Sequence, residues 1–404
     1  MSITGPASTP REPGAPAAAD VIPLCIPHLA GNEWRYVKEC LDTNWVSSAG
    51  PFVTRFETML SEYVGRGHAV AIVNGTAALH IGLLVAGVGS DDEVLVSTLT
   101  FVAPVNAIRY CGACPVFVDA EPATWQMDAQ RLKDFLDTGC VWRTGALFNR
   151  TTGKRVRAIL PVHILGAPCD LAPIVDVAKR YDLVVIEDAT EALGARYQNA
   201  MAGRAGDLAC FSFNGNKIIT TGGGGMVVTD NQEWAARARY LSTQAKDDPV
   251  EYVHEEVGYN YRLTNVQAAM GVAQLEQLPA FVNRKRDIAS RYDRELAALD
   301  GVTTNRVVDG GISSCWMYTV SIDSARFGRD RRSTMGVLAE RGIESRPLWT
   351  PIHMLTPYRG CPRVGGEVAE EIQQRALSLP CSVGLQEADQ AAVIDAMRTA
   401  SASS

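Results

Sequence analysis

Residues 68–86, HAVAIVNGTAALHIGLLVA, join an apolar strand to an apolar helix through a three-residue polar turn. His68–Val73 predicts a short buried strand, and Ala77–Ala86 predicts a helix. Asn74-Gly75-Thr76 lies between them, where the strand ends and the helix begins. A strand that passes directly into a helix is the repeating unit of α/β proteins.

The same alternation continues along the chain. Further strands are predicted at 93–97, 115–119, 157–162, 182–187, 207–213 and 225–229, with helices at 102–110, 128–137 and 171–180. Near-continuous apolar strands separated by helices indicate an α/β fold with a mainly parallel sheet covered on both faces. In such sheets ligands bind at the carboxyl ends of the strands, so the polar residues there are the candidates for a site.

Three segments are predicted. Residues 1–20 are rich in Pro, Ala, Gly and Ser and indicate a disordered arm. Residues 21–278 form the large domain. A long helical region over 265–299 contains Pro279, which we expect to interrupt the helix. We place the domain change there, and residues 279–404 form a smaller C-terminal α+β domain with strands at 315–322 and 343–346 and a helix at 333–341.

Composition narrows the class of protein. The chain has 404 residues, 47% of them hydrophobic and 21% charged, with a net charge of −7. This mild acidity argues against nucleic-acid or anionic-membrane binding. No long apolar segment predicts a membrane span or a signal peptide, so a cytoplasmic protein is expected. The ten cysteines fit reduced packing residues, and no ligand pattern predicts a metal site.

Three groups follow predicted strands. Gly75 and Thr76 open a helix, where free N–H groups bind anions, although an ordinary helix cap would look alike. Asp188 ends a buried strand and needs a cationic partner, unless it caps the next segment. Lys217 precedes four glycines at 222–225 and is placed to form an imine, although a solvated loop lysine is the commoner case. Together they predict a site for phosphate, ring nitrogen and aldehyde, the three groups of pyridoxal phosphate.

In these segments the chain resembles the DegT/DnrJ sugar aminotransferases, which are fold-type-I enzymes dependent on pyridoxal phosphate. The resemblance runs from about residue 22 to residue 392. It rests on five motifs: Asn-Gly-Thr-Ala-Ala-Leu at 74–79, Thr-Phe-Val-Ala at 100–103, Glu-Asp-Ala at 187–189, Ser-Phe-Asn-Gly-Asn-Lys at 212–217 and Gly-Tyr-Asn-Tyr-Arg at 258–262.

The resemblance implies roles for residues of these motifs. Lys217 matches the lysine that binds the cofactor aldehyde, and Asp188 matches the partner of the ring nitrogen. Gly75, Thr76 and Ser212 match phosphate ligands. Phe101 matches the aromatic that stacks on the cofactor ring, with core packing as the alternative. Asn260 matches a residue that reaches the phosphate of the neighbouring subunit, which implies a homodimer with shared active sites.

Two positions depart from many members of the family. They carry Gln and His where this chain has Glu191 and Leu193. We expect Glu191 to approach the 3-hydroxyl side of the cofactor. The difference resembles the branch that serves legionaminic acid and bacillosamine pathways, whose substrates are UDP-linked 4-keto-6-deoxy sugars with a 2-acetamido group.

The resemblance implies transfer of an amino group from L-glutamate to C4 of such a sugar, for bacterial surface glycans. Lys217 would carry the proton. The candidates for binding the nucleotide sugar are Ser48, His163, Lys246, Arg262 and His353. Alternatively, each histidine is a structural, hydrogen-bonded residue. The alternative for Lys246 and Arg262 is that their side chains are simply solvated.

Three other functions are alternatives. Related dehydratases carry His where this chain has Lys217, so the presence of the lysine favours transamination. A second alternative is a non-catalytic sensor that binds the same cofactor, but the sequence contains no DNA-binding segment that would support this function. An oxidoreductase would need a Gly-x-Gly-x-x-Gly motif after the first strand, and the chain has none there.

Overall fold

The computed structural model describes residues 21–248 and 250–402. The predicted disordered arm at 1–20 lies outside this range. None of the described helices is both long enough and apolar enough to cross a membrane.

The described elements begin with two helices and then alternate. The helices are α1 (Glu33–Asp42), α2 (Pro51–Val64), α3 (Gly75–Val85), α4 (Ala103–Tyr110), α5 (Ala129–Asp134), α6 (Leu171–Arg180), α7 (Gln232–Ser242), α8 (Asn265–Leu296), α9 (Ser324–Phe327), α10 (Arg331–Glu340), α11 (Glu367–Arg375) and α12 (Glu387–Ala402). The strands are β1 (His68–Ile72), β2 (Asp92–Ser97), β3 (Cys114–Val118), β4 (Cys140–Arg143), β5 (Ala146–Asn149), β6 (Arg155–Leu160), β7 (Val184–Asp188), β8 (Arg196–Tyr197), β9 (Ala200–Met201), β10 (Leu208–Ser212), β11 (Gly225–Thr229), β12 (Val302–Thr304), β13 (Gly311–Ile312), β14 (Tyr318–Ile322), β15 (Arg346–Pro347), β16 (Arg363–Val364) and β17 (Ala376–Leu379).

The large sheet has the order β1-β11-β10-β7-β6-β2-β3-β16, and the β4–β5 hairpin pairs with β6. The pairs between β10 and β16 along this order are parallel, whereas β11 is antiparallel to both of its neighbours. Alternate residues of β10 enter different cores: Ala209 and Phe211 pack with α2 and α8, and Leu208 and Cys210 pack with α3. The predicted α/β architecture with a mainly parallel, covered sheet is therefore confirmed.

The second sheet, β12-β14-β17-β15, is antiparallel and belongs to the C-terminal part. Its core contains Val320 of β14, Leu377 of β17 and Val393 of α12, together with Ile288 and Tyr292 of α8. This arrangement agrees with the α+β character predicted for this part of the chain. One short strand from this part of the chain, β16, pairs with β3 at the edge of the large sheet.

The expected interruption at Pro279 is wrong, because α8 runs continuously from Asn265 to Leu296 with Pro279 inside it. Pro279 is exposed, so its ring lies on the solvent side of the helix. The boundary placed between 278 and 279 falls within this helix. The division of the chain there remains a prediction.

The predicted strand at 315–322 is three residues too long. Cys315 has a φ of 54°, which lies in the left-handed region and interrupts extended backbone, and β14 begins at Tyr318. The strand predicted at 343–346 is also displaced, since β15 contains only Arg346 and Pro347.

Two glycines in helices provide a matched test of the packing. A Cβ at Gly271 in α8 would lie 2.7 Å from the ring of the fully buried Phe56, whereas a Cβ at Gly336 in α10 would meet nothing within 4 Å. We expect Gly271→Ala to lower the free energy of unfolding by about 1–3 kcal/mol through overpacking. Gly336→Ala should raise it by about 0.5–1 kcal/mol, because alanine favours helix.

Denaturant unfolding of the two variants beside the parent protein measures both effects. A Gly271→Ala protein as stable as the parent would contradict the described contact between α8 and α2.

Candidate active site

The turn at 74–76 is an N-terminal helix cap that leaves donors free. The side-chain oxygen of Asn74 accepts a hydrogen bond of 2.8 Å from the N–H of Ala77. The backbone carbonyl of Asn74 accepts a second one, of 3.0 Å, from the N–H of Ala78. The first residues of α3, Gly75 and Thr76, have no partner one turn earlier within the helix. Their N–H groups point out of the positive end of the helix dipole, which attracts an anion.

This turn lies tightly against strands β10 and β11. A Cβ at Gly75 would be 2.7 Å from Cβ of Ser212 and 2.9 Å from its Oγ. A Cβ at Gly225 would be 2.5 Å from the carbonyl oxygen of Asn74. The two glycines let the helix terminus and the Ser212 hydroxyl approach one small volume, which is the shape of a phosphate cradle.

Asp188 ends β7 beside this cradle. Its side chain is buried, and Oδ1 accepts a hydrogen bond of 3.1 Å from the N–H of Thr190. Burial raises the pKa of Asp188, and the hydrogen bonds from Thr190 and the charge of Lys217 offset only part of this rise. A cationic group placed against the carboxylate would remove the cost of burying its charge.

The preceding residue, Glu187, has a different role. Its carboxylate accepts hydrogen bonds from the N–H groups of Gly203 (2.7 Å) and Gly206 (2.6 Å) and is 2.9 Å from Nε2 of His163. Nδ1 of His163 accepts from the N–H of Cys169, so Nε2 carries the ring proton and donates it to Glu187. Burial alone would raise the pKa of Glu187, but the bonds from His163 and the backbone outweigh it and lower the pKa.

Lys217 lies in the loop after β10, and only 13% of its side chain is exposed. Its Nζ is 3.8 Å from Oε1 of Glu191 and 4.0 Å from the centre of the Trp316 ring. Oε2 of Glu191 accepts a hydrogen bond of 2.9 Å from the N–H of Leu165. Burial raises the pKa of Glu191 to about 7 against the opposing effect of the Lys217 charge.

These groups share one cavity of about 340 Å³. Seven of the eight residues predicted to bind the cofactor line it: Gly75, Thr76, Phe101, Asp188, Glu191, Ser212 and Lys217. The ring of Phe101 is 51% exposed at its rim and makes an edge contact with Trp349, with the ring centres 6.3 Å apart. An exposed ring at the rim favours the predicted stacking role of Phe101 over core packing.

The eighth residue, Asn260, is exposed and forms an isolated bridge with Thr243 away from the lining of this cavity. Ser48 and Lys246 are also exposed and outside the lining, and Nζ of Lys246 lies 4.5 Å from the ring centre of Tyr252. The structure therefore does not bring these three residues to the cavity within the single chain.

The other three predicted substrate residues have internal partners. His163 is held by Glu187 and Cys169, as described above. Arg262 pairs with Glu57, with 2.5 Å between Nη1 and Oε1. His353 is buried between Thr98 (2.6 Å) and Glu370 (3.0 Å). None of the three lines the cavity, and for both histidines the structural alternative agrees with these contacts.

The sequence analysis missed two aromatic residues of the cavity, Trp316 and Trp349. Both belong to the C-terminal part of the chain, and their rings are stacked with 6.3 Å between centres and 15° between planes. An isolated tryptophan before a strand has no pattern that predicts a site.

Comparison with known proteins gives consistent matches over nearly the whole chain. Residues 27–398 match the model of the DegT/DnrJ/EryC1/StrS aminotransferase family. A GDP-perosamine synthase of Caulobacter vibrioides is 42% identical over 377 residues, 93% of this chain and 97% of the relative. A GDP-perosamine synthase of Escherichia coli O157:H7 is 39% identical over 359 residues, 89% of this chain and 93% of the relative.

Solved structures agree. DesI in the presence of its TDP-sugar product is 32% identical, with a TM-score of 0.85 over 96% of this chain and 95% of DesI. The putative sugar aminotransferase Spr1654 of Streptococcus pneumoniae, in its pyridoxal phosphate form, is 26% identical, with a TM-score of 0.83 over 95% of this chain and 99% of Spr1654.

Aminotransferases of this family use pyridoxal phosphate, and the cavity fits that cofactor. The cradle at Gly75 and Ser212 has room for a phosphate only because Gly75 lacks a Cβ. Asp188 is a buried carboxyl whose raised pKa calls for a cation such as a protonated ring nitrogen. Lys217 supplies a primary amine between these two groups and Glu191.

Replacing Gly75 tests the cradle. In Gly75→Ala the new methyl group would crowd Ser212, so we expect the affinity for pyridoxal phosphate to fall about tenfold or more. The preference for pyridoxal phosphate over pyridoxal should fall as well, because the loss concerns the phosphate. Gly215→Ala is the matched control, since a Cβ there meets nothing within 4 Å. Equal losses for both ligands, measured by titration, would contradict a phosphate cradle.

Glu191→Gln tests the raised pKa of Glu191. A carboxyl that binds its proton more tightly in the folded state makes the protein lose stability as pH rises from the unfolded pKa, about 4.3, to the folded pKa near 7. The free energy of unfolding of the parent protein minus that of Glu191→Gln should therefore fall between pH 4.5 and 7 and level off above pH 8. Denaturant unfolding across this range measures it, and a constant difference would show an ordinary carboxyl.

The matches extend over almost the entire chain, and solved sugar aminotransferases share its fold-type-I architecture. The architecture alone would leave the chemistry open, but the relatives and the cavity agree on the cofactor. This chain belongs to the DegT/DnrJ/EryC1/StrS aminotransferase family and is a sugar aminotransferase dependent on pyridoxal phosphate.

Proposed function

We propose that the protein transfers an amino group from L-glutamate to C4 of a nucleotide-linked 4-keto-6-deoxy sugar. The observation that carries this proposal is the meeting of Lys217, Asp188 and the Gly75–Ser212 cradle in one largely buried cavity. The relatives named GDP-perosamine synthases support a nucleotide-linked sugar as the acceptor.

When bound, pyridoxal phosphate supplies an electron sink for the carbanion formed at the substrate carbon. Gly75, Thr76 and Ser212 would hold its phosphate, and Asp188 would hold its ring nitrogen. Because the carboxylate of Asp188 has only a local hydrogen bond to Thr190, it keeps capacity for this partner. Glu191, on the other side of Lys217, would face the 3-hydroxyl group.

Lys217 is the group that moves protons. Its free amine would take the proton from the α-carbon of glutamate in the first half of the reaction and return a proton to C4 of the sugar in the second. A primary amine with 13% of its side chain exposed is shielded from bulk water, so a proton it carries is less readily lost to solvent. Retention of Lys217 favours transamination over the dehydratase alternative.

Two substrates are candidates. The departure at Glu191 and Leu193 predicted a UDP-linked sugar with a 2-acetamido group. Three relatives that are 37–42% identical are named GDP-perosamine synthases, and this favours a GDP-linked sugar. We place the GDP-linked sugar first, with the UDP-linked sugar as the second candidate, and both as precursors of bacterial surface glycans.

We further propose a homodimer in which each subunit completes the site of the other. Asn260 is exposed and lies outside the cavity of its own chain, and this position supports its predicted contact with a cofactor phosphate of a second copy. Apolar side chains exposed near it in sequence, Tyr252 and Val257, would gain from such burial. Ser48 and Lys246, exposed in the single chain, remain candidates for the nucleotide sugar in this assembly.

The test is turnover of a panel of 4-keto-6-deoxy sugars linked to GDP, UDP and TDP, with L-glutamate as donor. We expect formation of 2-oxoglutarate and a 4-amino sugar, fastest with the GDP-linked substrate. Lys217→Ala should reduce kcat by at least about 10³-fold, and Lys179→Ala, on the surface of α6, is the control. Turnover of Lys217→Ala at the parent rate would refute the mechanism, and no amino sugar from any member of the panel would refute the function.

A further inference from the structure

The amine of Lys217 has an acid and an aromatic face as near neighbours. Oε1 of Glu191 is 3.8 Å from Nζ, and the centre of the Trp316 ring is 4.0 Å from the same atom. The π face of an indole carries negative potential and attracts an ammonium group at this distance. The geometry therefore gives a protonated Lys217 two favourable neighbours, only one of which can change its own charge.

The indole is fixed in this position by three contacts. Trp316 is 4% exposed, and its Nε1–H donates a hydrogen bond of 2.7 Å to the carbonyl of Asn216, the residue before Lys217. Its ring also stacks on that of Trp349. Its backbone is pressed against Gly166, where a Cβ would lie 2.6 Å from the nitrogen of Trp316. The ring is thus attached to the same loop whose lysine it faces.

The surroundings of Lys217 contain few other charges. Asp188 from the end of β7 and Glu191 from the turn after it are the acids that act on its charge, and Cys25 from the N-terminal segment is a titratable neighbour. In the part of the chain that the structure describes, no second basic side chain lines the cavity. Trp316 is therefore the neighbour of the amine whose contribution does not vary with pH.

We propose that Trp316 is a positioning residue for Lys217, holding the free amine as an ammonium group against its indole face when Lys217 is not bound to the cofactor. The inference rests on the proposed role of Lys217 as the proton carrier. Trp316 exchanges no proton itself. It limits the positions of the amine to the side of the cavity that contains Glu191 and favours the protonated form that must give its proton to the sugar carbon.

The sharpest test changes the charge distribution of the ring and keeps its shape. Tryptophan at 316 is replaced by its mono-, di- and trifluoro analogues, which retain the Nε1–H bond to Asn216 and weaken the negative face. The readout is the rate at which Lys217 reacts with acetic anhydride at one fixed pH, measured by peptide mass spectrometry on the full-length protein without cofactor. This rate should rise stepwise with fluorination, by about three- to tenfold in total, because a weaker ring face holds the ammonium group less firmly.

Two further variants separate charge from packing. Trp316→Phe keeps a ring face and should keep most of the effect, whereas Trp316→Leu removes the ring face and should raise the labelling rate at least as far as full fluorination. The same analogues at Trp34, which is 79% exposed, are the control and should shift nothing. In the loaded enzyme, fluorination at 316 should lower kcat more than it changes KM for the sugar.

A labelling rate that is constant across the fluorinated series would overturn the proposal, even if Trp316→Leu is unstable. An equal shift in the Trp34 series would also overturn it. Because labelling needs no turnover, it remains informative if the substrate panel fails, so failure of the inference and failure of the proposed function are distinguishable.

Discussion

The close approach of the α3 terminus to strands β10 and β11 is the constraint on which the site depends. Asn74 and Gly75 pass so near to Ser212 and Gly225 that neither glycine position has room for a Cβ. This contact joins three neighbouring strands, because β1 leads into the turn and is paired with β11, which is paired with β10. Any slip in their register would move Ser212 away from the free N–H groups of the helix.

The two acids at the end of β7 show how one strand serves stability and chemistry. Alternation along the strand sends adjacent side chains to opposite faces. Glu187 turns away from the cavity and receives a full set of donors from Gly203, Gly206 and His163. Asp188 turns towards the cavity and has little beyond Thr190. The buried charge of Glu187 is therefore satisfied within the fold, and that of Asp188 is left for a ligand.

The sequence predicted the parts of the site that have a local signature. The cradle, Asp188 and Lys217 each follow a strand in a recognisable order, and the resemblance supplied Phe101, Ser212 and Glu191. Trp316 and Trp349 were not predictable, because they reach the cavity through the folding of the C-terminal part onto the sheet. For the same reason β16, two residues of isolated sequence, could not be predicted as a member of the large sheet. The interruption predicted at Pro279 was wrong because the rule that proline breaks a helix considers only the local backbone, whereas α8 is supported by tertiary contacts.

That helix explains why the C-terminal part can contribute to a site on the large sheet. The first half of α8 packs Val272 and Leu278 into the core with α2, and its second half packs Ile288 and Tyr292 into the core with β14. A break at Pro279 would have uncoupled these cores and with them the position of Trp316, two residues before β14. Because the helix continues, one rigid element connects the segment that bears the indole facing Lys217 with the sheet that holds Ser212 and Asp188.

The charges of the cavity complete the argument for its ligand. Two buried carboxyls, Asp188 and Glu191, face one amine, and burial raises the pKa of both. With Lys217 as the only cation lining the cavity among the described residues, one acid can be paired and the other is favoured in its protonated form. A ligand that brings a protonated ring nitrogen to Asp188 supplies the missing positive charge. Its phosphate meets the free N–H groups of α3, so each charge of the cofactor has an opposite partner that the fold already holds in place.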